Sequence, residues 1–229
     1  ISFNPKDFSL HHYWDILQND KLLRYLFNSA VYSVGGVLLT VAYSCLAGYA
    51  FAKMDFKGAN ILFFVLLLTM FLPTEVTLVP QYIIIKNLGW LNTYQALILP
   101  LPGAFGLFIM RQAMLGVPKE LMEAARIDGC GNFRIFYQIM LPLVKSSIIM
   151  LVIFTFMATW NSFLWPLVVG TKESMRTFTV GLSTMQTQYD NNVGGMMASA
   201  TISFLPPFLL YLVLQKRFVE GVAMTGLKG

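Results

Sequence analysis

Apolar residues fill this chain in long blocks, broken by short polar stretches. A helix needs about 20 apolar residues to cross roughly 30 Å of hydrocarbon. Five stretches meet that need: Tyr25 to Ala52, Gly58 to Ile85, Asn87 to Met110, Ser146 to Thr171 and Asn191 to Gln215. The first carries no charge, and the second carries one, Glu75. Each is longer than the span it contains, so frayed or interfacial ends are expected. Residues 1–24 read as a loop and a short amphipathic helix around Tyr13 to Arg24, with Tyr13 and Trp14 suited to the interfacial zone. The pattern predicts an all-α integral membrane protein, with its transmembrane domain over residues 25–229.

Composition strengthens that reading. Of 229 residues, 56% are hydrophobic and 12% charged, about half the charged share of an ordinary soluble domain. The mean hydropathy is +0.63. A soluble domain could not solvate such a surface. The net charge of +5 calls for no nucleic acid, because basic residues collect in the cytoplasmic loops of membrane proteins. Cys45 and Cys130 have neither metal-ligand spacing nor reason to meet. His11 and His12 read as a solvated pair, so no metal site is expected.

Lys and Arg set the orientation. Ten fall on one side: Lys53, Lys57, Arg111, Lys119, Arg126, Arg134, Lys145, Lys216, Arg217 and Lys228. Six fall on the other: Lys6, Lys21, Arg24, Lys86, Lys172 and Arg176. The richer side is expected to be cytoplasmic, and the C-terminus with it. Five spans would then leave residues 1–24 outside, although no signal peptide is legible. The expectation is a further span upstream of Ile1, making six.

The one long charged connection runs from Leu115 to Lys145. Pro118 suits a first helical position, and Glu120 and Glu123 suit the positive end of the helix dipole. Gly129 supplies a left-handed residue to close the helix. Asn132 is placed to cap a second short helix, which Pro142 would bound. Small Ala124 and Ala125, charged Glu123, Arg126 and Asp128, and apolar Leu121, Met122 and Ile127 suit docking to another protein.

Here the chain resembles a known family. Glu123-Ala124-Ala125, Gly129, Ile139 and Leu141-Pro142 stand at the spacing of the signature carried by permeases of ATP-binding-cassette importers. Asn28-Ser29 at the start of a span, Trp160-Asn161 and the ending Gly226-Leu227-Lys228-Gly229 are similar to the carbohydrate branch, the maltose G-type permeases. The resemblance implies that residues 115–145 hold a coupling helix seated in an ATPase subunit, and that Asp128 belongs to that contact. It implies a C-terminal tail, 216–229, reaching the ATPases with Gly226 and Lys228. It also implies a second permease as heterodimer partner, two ATPases, an extracytoplasmic binding protein and a bilayer lipid surround. No phosphate-cradling Gly-x-x-x-x-Gly-Lys-Ser/Thr loop occurs, so no cofactor is expected on this chain, and ATP with Mg would sit on the partner subunits. The chain is not expected to be an enzyme. A secondary transporter would need intramembrane charges for ion coupling, and Glu75 alone is thin support. An importer of glycerol phosphate stands as a further alternative.

Three residues are candidates for the solute pathway. Glu75 lies about 17 residues along its stretch, roughly 25 Å at the helical rise, between Pro73 and Pro80. A carboxylate at that depth lines a pathway or sits at the interface. Trp160 and Asn161 offer a ring face and a carboxamide to a sugar, but helix packing is the somewhat stronger reading. Pro206-Pro207 is expected to interrupt the last span, as a hinge or a static kink.

Overall fold

The computed structural model describes residues 10–186 and 193–226, with side chains over 10–184 and 194–215. All regular structure among them is helical. Helix α1, His11–Leu17, precedes α2, Asp20–Lys53, an unbroken helix of 34 residues. The side chain of Asn19 accepts from the amides of Lys21 (3.0 Å) and Leu22 (3.3 Å), ending α1's register and starting α2. The short amphipathic helix therefore stops at Leu17, and the first span begins at Asp20, ahead of Tyr25.

The second stretch is helical but bent. Helix α3, Ala59–Leu68, and its 3-10 extension Thr69–Phe71 meet α4, Thr74–Asn87, at 105°. Pro73 explains the break, since it drives Leu72 to an extended ψ of 120°. The third stretch is not one helix. Gly89 and Asn92 turn with φ of 70° and 63°. A short α5, Tyr94–Ile98, follows, and α6, Ala104–Leu115, starts only after Pro100 and Pro102. Helices α7, Lys119–Ile127, α8, Asn132–Ile135, and α9, Leu141–Leu143, form the charged connection. A π-helical turn, Phe136–Met140, joins the last two. The segment 132–143 meets α10, Lys145–Trp160, at 76°.

Helix α11, Leu164–Val169, and a 3-10 turn, Glu173–Met175, lead to α12, Phe178–Gln186, and α13, Val193–Gly226. Among the described residues, two helices alone are long and apolar enough to cross a membrane, or four if each bent pair is one span. Among the described residues each of the five apolar stretches contains helix, but fewer are continuous spans. The reason is local: prolines and left-handed turns break a helix without making its sequence less apolar.

Helix α2 is the axis. One stripe of its buried surface is small or polar: Ser29, Ser33, Gly36, Thr40, Ser44 and Gly48. That stripe lets α6 and α10 approach closely, as membrane helices do without a hydrophobic drive between them. A Cβ on Gly48 would stand 2.7 Å from the Met110 Cβ and 3.0 Å from the Arg111 amide nitrogen. Around α2 lie three apolar clusters, one toward residues 116–144, one around Tyr32 and Leu97, and one around Tyr25 and Phe178. Apolar side chains such as Leu38, Ile61, Phe71 and Val213 stay exposed, as a lipid-facing surface requires.

The double proline corrects an expectation. Helix α13 continues through Pro206 and Pro207. Pro207 has no N–H for the Ser203 carbonyl four residues back. The Trp160 indole supplies one, donating from Nε1 to that oxygen at 2.9 Å. A donor from α10 thus replaces the missing helical bond and ties the two helices together.

Candidate docking loop and solute-pathway residues

The loop of residues 116–144 is built from its termini inward. Pro118 takes the cap position rather than the first helical one, with ψ at 139°, and Glu120 sits in the first turn of α7. At the other end the amide of Gly129 donates to the Arg126 carbonyl (3.0 Å) and that of Cys130 to the Ala125 carbonyl (2.9 Å). Gly129 has φ of 79°. These are the paired bonds of a Schellman close, and the left-handed residue predicted from sequence is in place. Asn132 does not cap α8, whose capping residue is Gly131. Instead its Oδ1 accepts from Arg126 Nη2 at 3.4 Å, linking the two arms. Pro142 lies inside α9, and the sharp turn comes after it, at Val144.

The signature residues divide between two faces. Ala125 is buried, as is Met122, and both join the apolar cluster with Tyr49, Met110, Met114 and Ile135. Met122 therefore anchors the loop to its own chain instead of facing outward. Ile139 and Leu141 are half-buried against the same cluster. Glu123, Ala124, Asp128 and Pro142 are exposed. Beside them stand apolar groups with no cover: Ile127 is 87% exposed, Phe133 78% and Tyr137 66%. Phe133 and Tyr137 were missed in the sequence, although their spacing of four puts them on one helical face. Such a combination, buried on one side and acidic and apolar on the other, can receive a partner without disturbing its own packing.

The pathway candidates are not brought together. Glu75 is exposed in the first turn of α4, at the 105° break, and its Oε1 accepts from Thr74 Oγ1 at 3.2 Å. Trp160 is 4% exposed and stacks on Phe156, centroids 5.6 Å apart and rings 13° from parallel. With its N–H on Ser203, it serves helix packing. Asn161 is exposed, and its Nδ2 donates to the Met157 carbonyl at 2.9 Å. It lines a cavity of about 560 Å³ with Met157, Ser203, Phe204, Phe208 and Tyr211. Gly226 is the last residue of α13, while Lys228 lies outside the described residues.

The opposite end of α2 is polar. Asn28 is fully buried and makes three hydrogen bonds. Its Nδ2 donates to the carbonyls of Ser174 (2.9 Å) and Arg176 (2.8 Å), and its Oδ1 accepts from Tyr94 OH (2.7 Å). Ser29 Oγ accepts from the Phe178 amide at 2.8 Å. Asn92 Oδ1 accepts from the Lys172 amide at 2.6 Å. Lys21 pairs with Glu173 at 2.9 Å, and that hydrogen bond and charge hold the Glu173 carboxyl below its ordinary value. The Asn28-Ser29 pair noted in the sequence is thus a latch for residues 174–178, and Asn92 holds Thr171 and Lys172.

This architecture is that of a known class of membrane subunit. The chain shares its fold with a chain of a bacterial ABC transporter involved in the import of the acidic polysaccharide alginate. The TM-score is 0.83 at 22% identity, over 93% of this chain and 80% of that one. Residues 44–224 match the model of the family described as binding-protein-dependent transport system inner membrane component. The chain is 38% identical to the arabinooligosaccharides transport system permease protein AraQ of Halalkalibacterium halodurans, over all of this chain and 83% of that protein. It is 36% identical to the sn-glycerol-3-phosphate transport system permease protein UgpE of Yersinia enterocolitica, over 86% of this chain and 71% of that protein. The chain belongs to the binding-protein-dependent transport system inner membrane component family.

Proposed function

We propose that this chain is the permease subunit through which an ATP-driven importer moves a sugar or oligosaccharide into the cell. The observation that carries the reading is the loop of residues 116–144. One face is packed into the chain's own core, and the other offers Glu123, Ala124, Ile127 and Asp128 to a partner. That partner is an ATPase subunit, one of two, which hold ATP and Mg. A second permease completes the pore, and a binding protein delivers solute from outside. The charged loop and the C-terminus face the cytoplasm, with the tail around Gly226 and Lys228 touching the ATPases. Closure of the ATPases displaces the docking loop, and the helices rock between two packed states.

A carbohydrate is the favoured solute. Arabinooligosaccharide permeases are among the relatives, and the five apolar stretches hold no Lys or Arg to neutralise a phosphate. Asn161 and the aromatic groups of its cavity suit hydroxyls and sugar faces, and Glu75 lies at the break of the second span. The test is uptake and ATPase stimulation by the reconstituted complex with its binding protein, across a panel of sugars and glycerol phosphates. Stimulation by a sugar supports the reading. Uptake that needs no ATP, or stimulation by glycerol phosphates alone, contradicts it.

A further inference from the structure

Two loops at opposite ends of the molecule hang on one unbroken rod. Helix α2 has no proline and no break over 34 residues, about 51 Å at the helical rise. At one end Lys53 Nζ donates to the Val117 carbonyl at 2.7 Å, just before the docking helix α7. Tyr49 OH donates to the Asn132 carbonyl at 3.4 Å, just after it. The two residues therefore grip the docking loop on both flanks. At the other end Asn28 and Ser29 hold residues 174–178.

The grip answers a need of the backbone. Val117 is buried, and with Pro118 as the capping residue of α7 its carbonyl lies outside the helical bonds. A buried carbonyl without a donor is costly, so the Lys53 ammonium supplies one. In return Arg111 Nε donates to the Phe51 carbonyl in the last turn of α2 at 3.2 Å. With Gly48 allowing near backbone contact, α2 and the base of the loop are joined from both sides.

We infer that α2 is the transmission element of the transporter, and that Lys53 and Tyr49 are the positioning residues that make it move as one body with the docking loop. Displacement of α7 by a partner then passes along α2 to residues 174–178 at the far end. The inference rests on the docking reading given above.

The test uses the whole transporter, with partner permease, ATPases and binding protein, reconstituted in proteoliposomes. Solute uptake per ATP hydrolysed is measured together with ATPase retention on purification. The Lys53→Met, Tyr49→Phe double variant is expected to retain its ATPases while uptake per ATP falls about tenfold, the scale of losing a charge-assisted bond. Lys53→Arg, which keeps a donor, is expected to recover most of the loss. A second design covers a double variant that does not assemble. With Cys45 and Cys130 changed to Ser, Lys53→Cys and Val117→Cys are bridged by a bis-maleimide, which adds one thiol at each end. If rod and loop move together, bridging restores uptake lost in the unbridged pair. Blocked transport on bridging, or a wild-type ratio in the double variant, overturns the proposal. Glu123→Lys separates the two readings: its normal transport would overturn docking and this inference together. An impaired Glu123→Lys beside a normal Lys53→Met, Tyr49→Phe transporter overturns this inference alone.

Discussion

At one end of α2 the loop of residues 116–144 rests on an apolar cluster, with Tyr49 and Lys53 as its main polar ties to that helix. At the other end residues 171–178 hang from the buried amide of Asn28, the hydroxyl of Ser29 and the amide of Asn92. The contrast has a physical meaning. Apolar contacts are non-directional and tolerate small displacements, whereas a fully bonded buried amide admits one geometry. The end that carries the loop of residues 116–144 therefore tolerates a small displacement without losing its packing, and the far end is held in register.

Changes that attack the rigid end should cost most. Asn28→Leu strands the Tyr94 hydroxyl and two carbonyls, and is expected to destabilise by about 3 kcal/mol or more. Thermal unfolding in detergent measures it, and an unchanged Tm would remove the latch from the account. At the docking end, Gly129→Val forces a β-branched residue to φ of 79° and is expected to cost about 1–2 kcal/mol. Uptake by this variant should fall more than its stability does, because the strain falls on the loop itself.

Between the two ends, the α10–α13 tie gives a sharper comparison. Trp160→Phe removes the donor to the Ser203 carbonyl and is expected to cost about 1–2 kcal/mol. In a Pro207→Ala background the helix regains its own N–H, so the same change should cost less. A double-mutant cycle reads the difference, and simple additivity would deny the capping role. The smallest effect belongs to Lys21 and Glu173, an exposed pair. Because the Glu173 carboxyl is held below its ordinary value, its contribution is present above the ordinary glutamate range. It is lost as pH falls through the lowered value. The Tm gap between the protein and Glu173→Gln should therefore be small at neutral pH and vanish in acid.

The helices, the closing Gly129 and the exposed Glu123, Ala124 and Asp128 were legible because each follows from local chemistry. Hydrophobic runs mark helices, and a glycine four residues past Glu123-Ala124-Ala125 marks a turn. What escaped depends on distant partners. Run length does not distinguish a straight span from one bent at Pro73, since both bury the same atoms. Pro206-Pro207 reads as a break unless Trp160, more than 40 residues earlier, is known to supply the missing donor. Met122 and Ala125 looked outward in the sequence because the phase of α7 is set by Tyr49 and Met114, on other helices. Lys53 reads as an ordinary cytoplasmic charge until the Val117 carbonyl stands beside it.

The central claim is that the face bearing Glu123 receives force from an ATPase. The most direct measurement is ATP-dependent uptake by the reconstituted transporter carrying Glu123→Lys, with ATPase activity followed in parallel. The account predicts a subunit that still inserts and folds but no longer couples ATP hydrolysis to uptake. Uptake at the normal rate, with ATP hydrolysis still tied to solute, would contradict it.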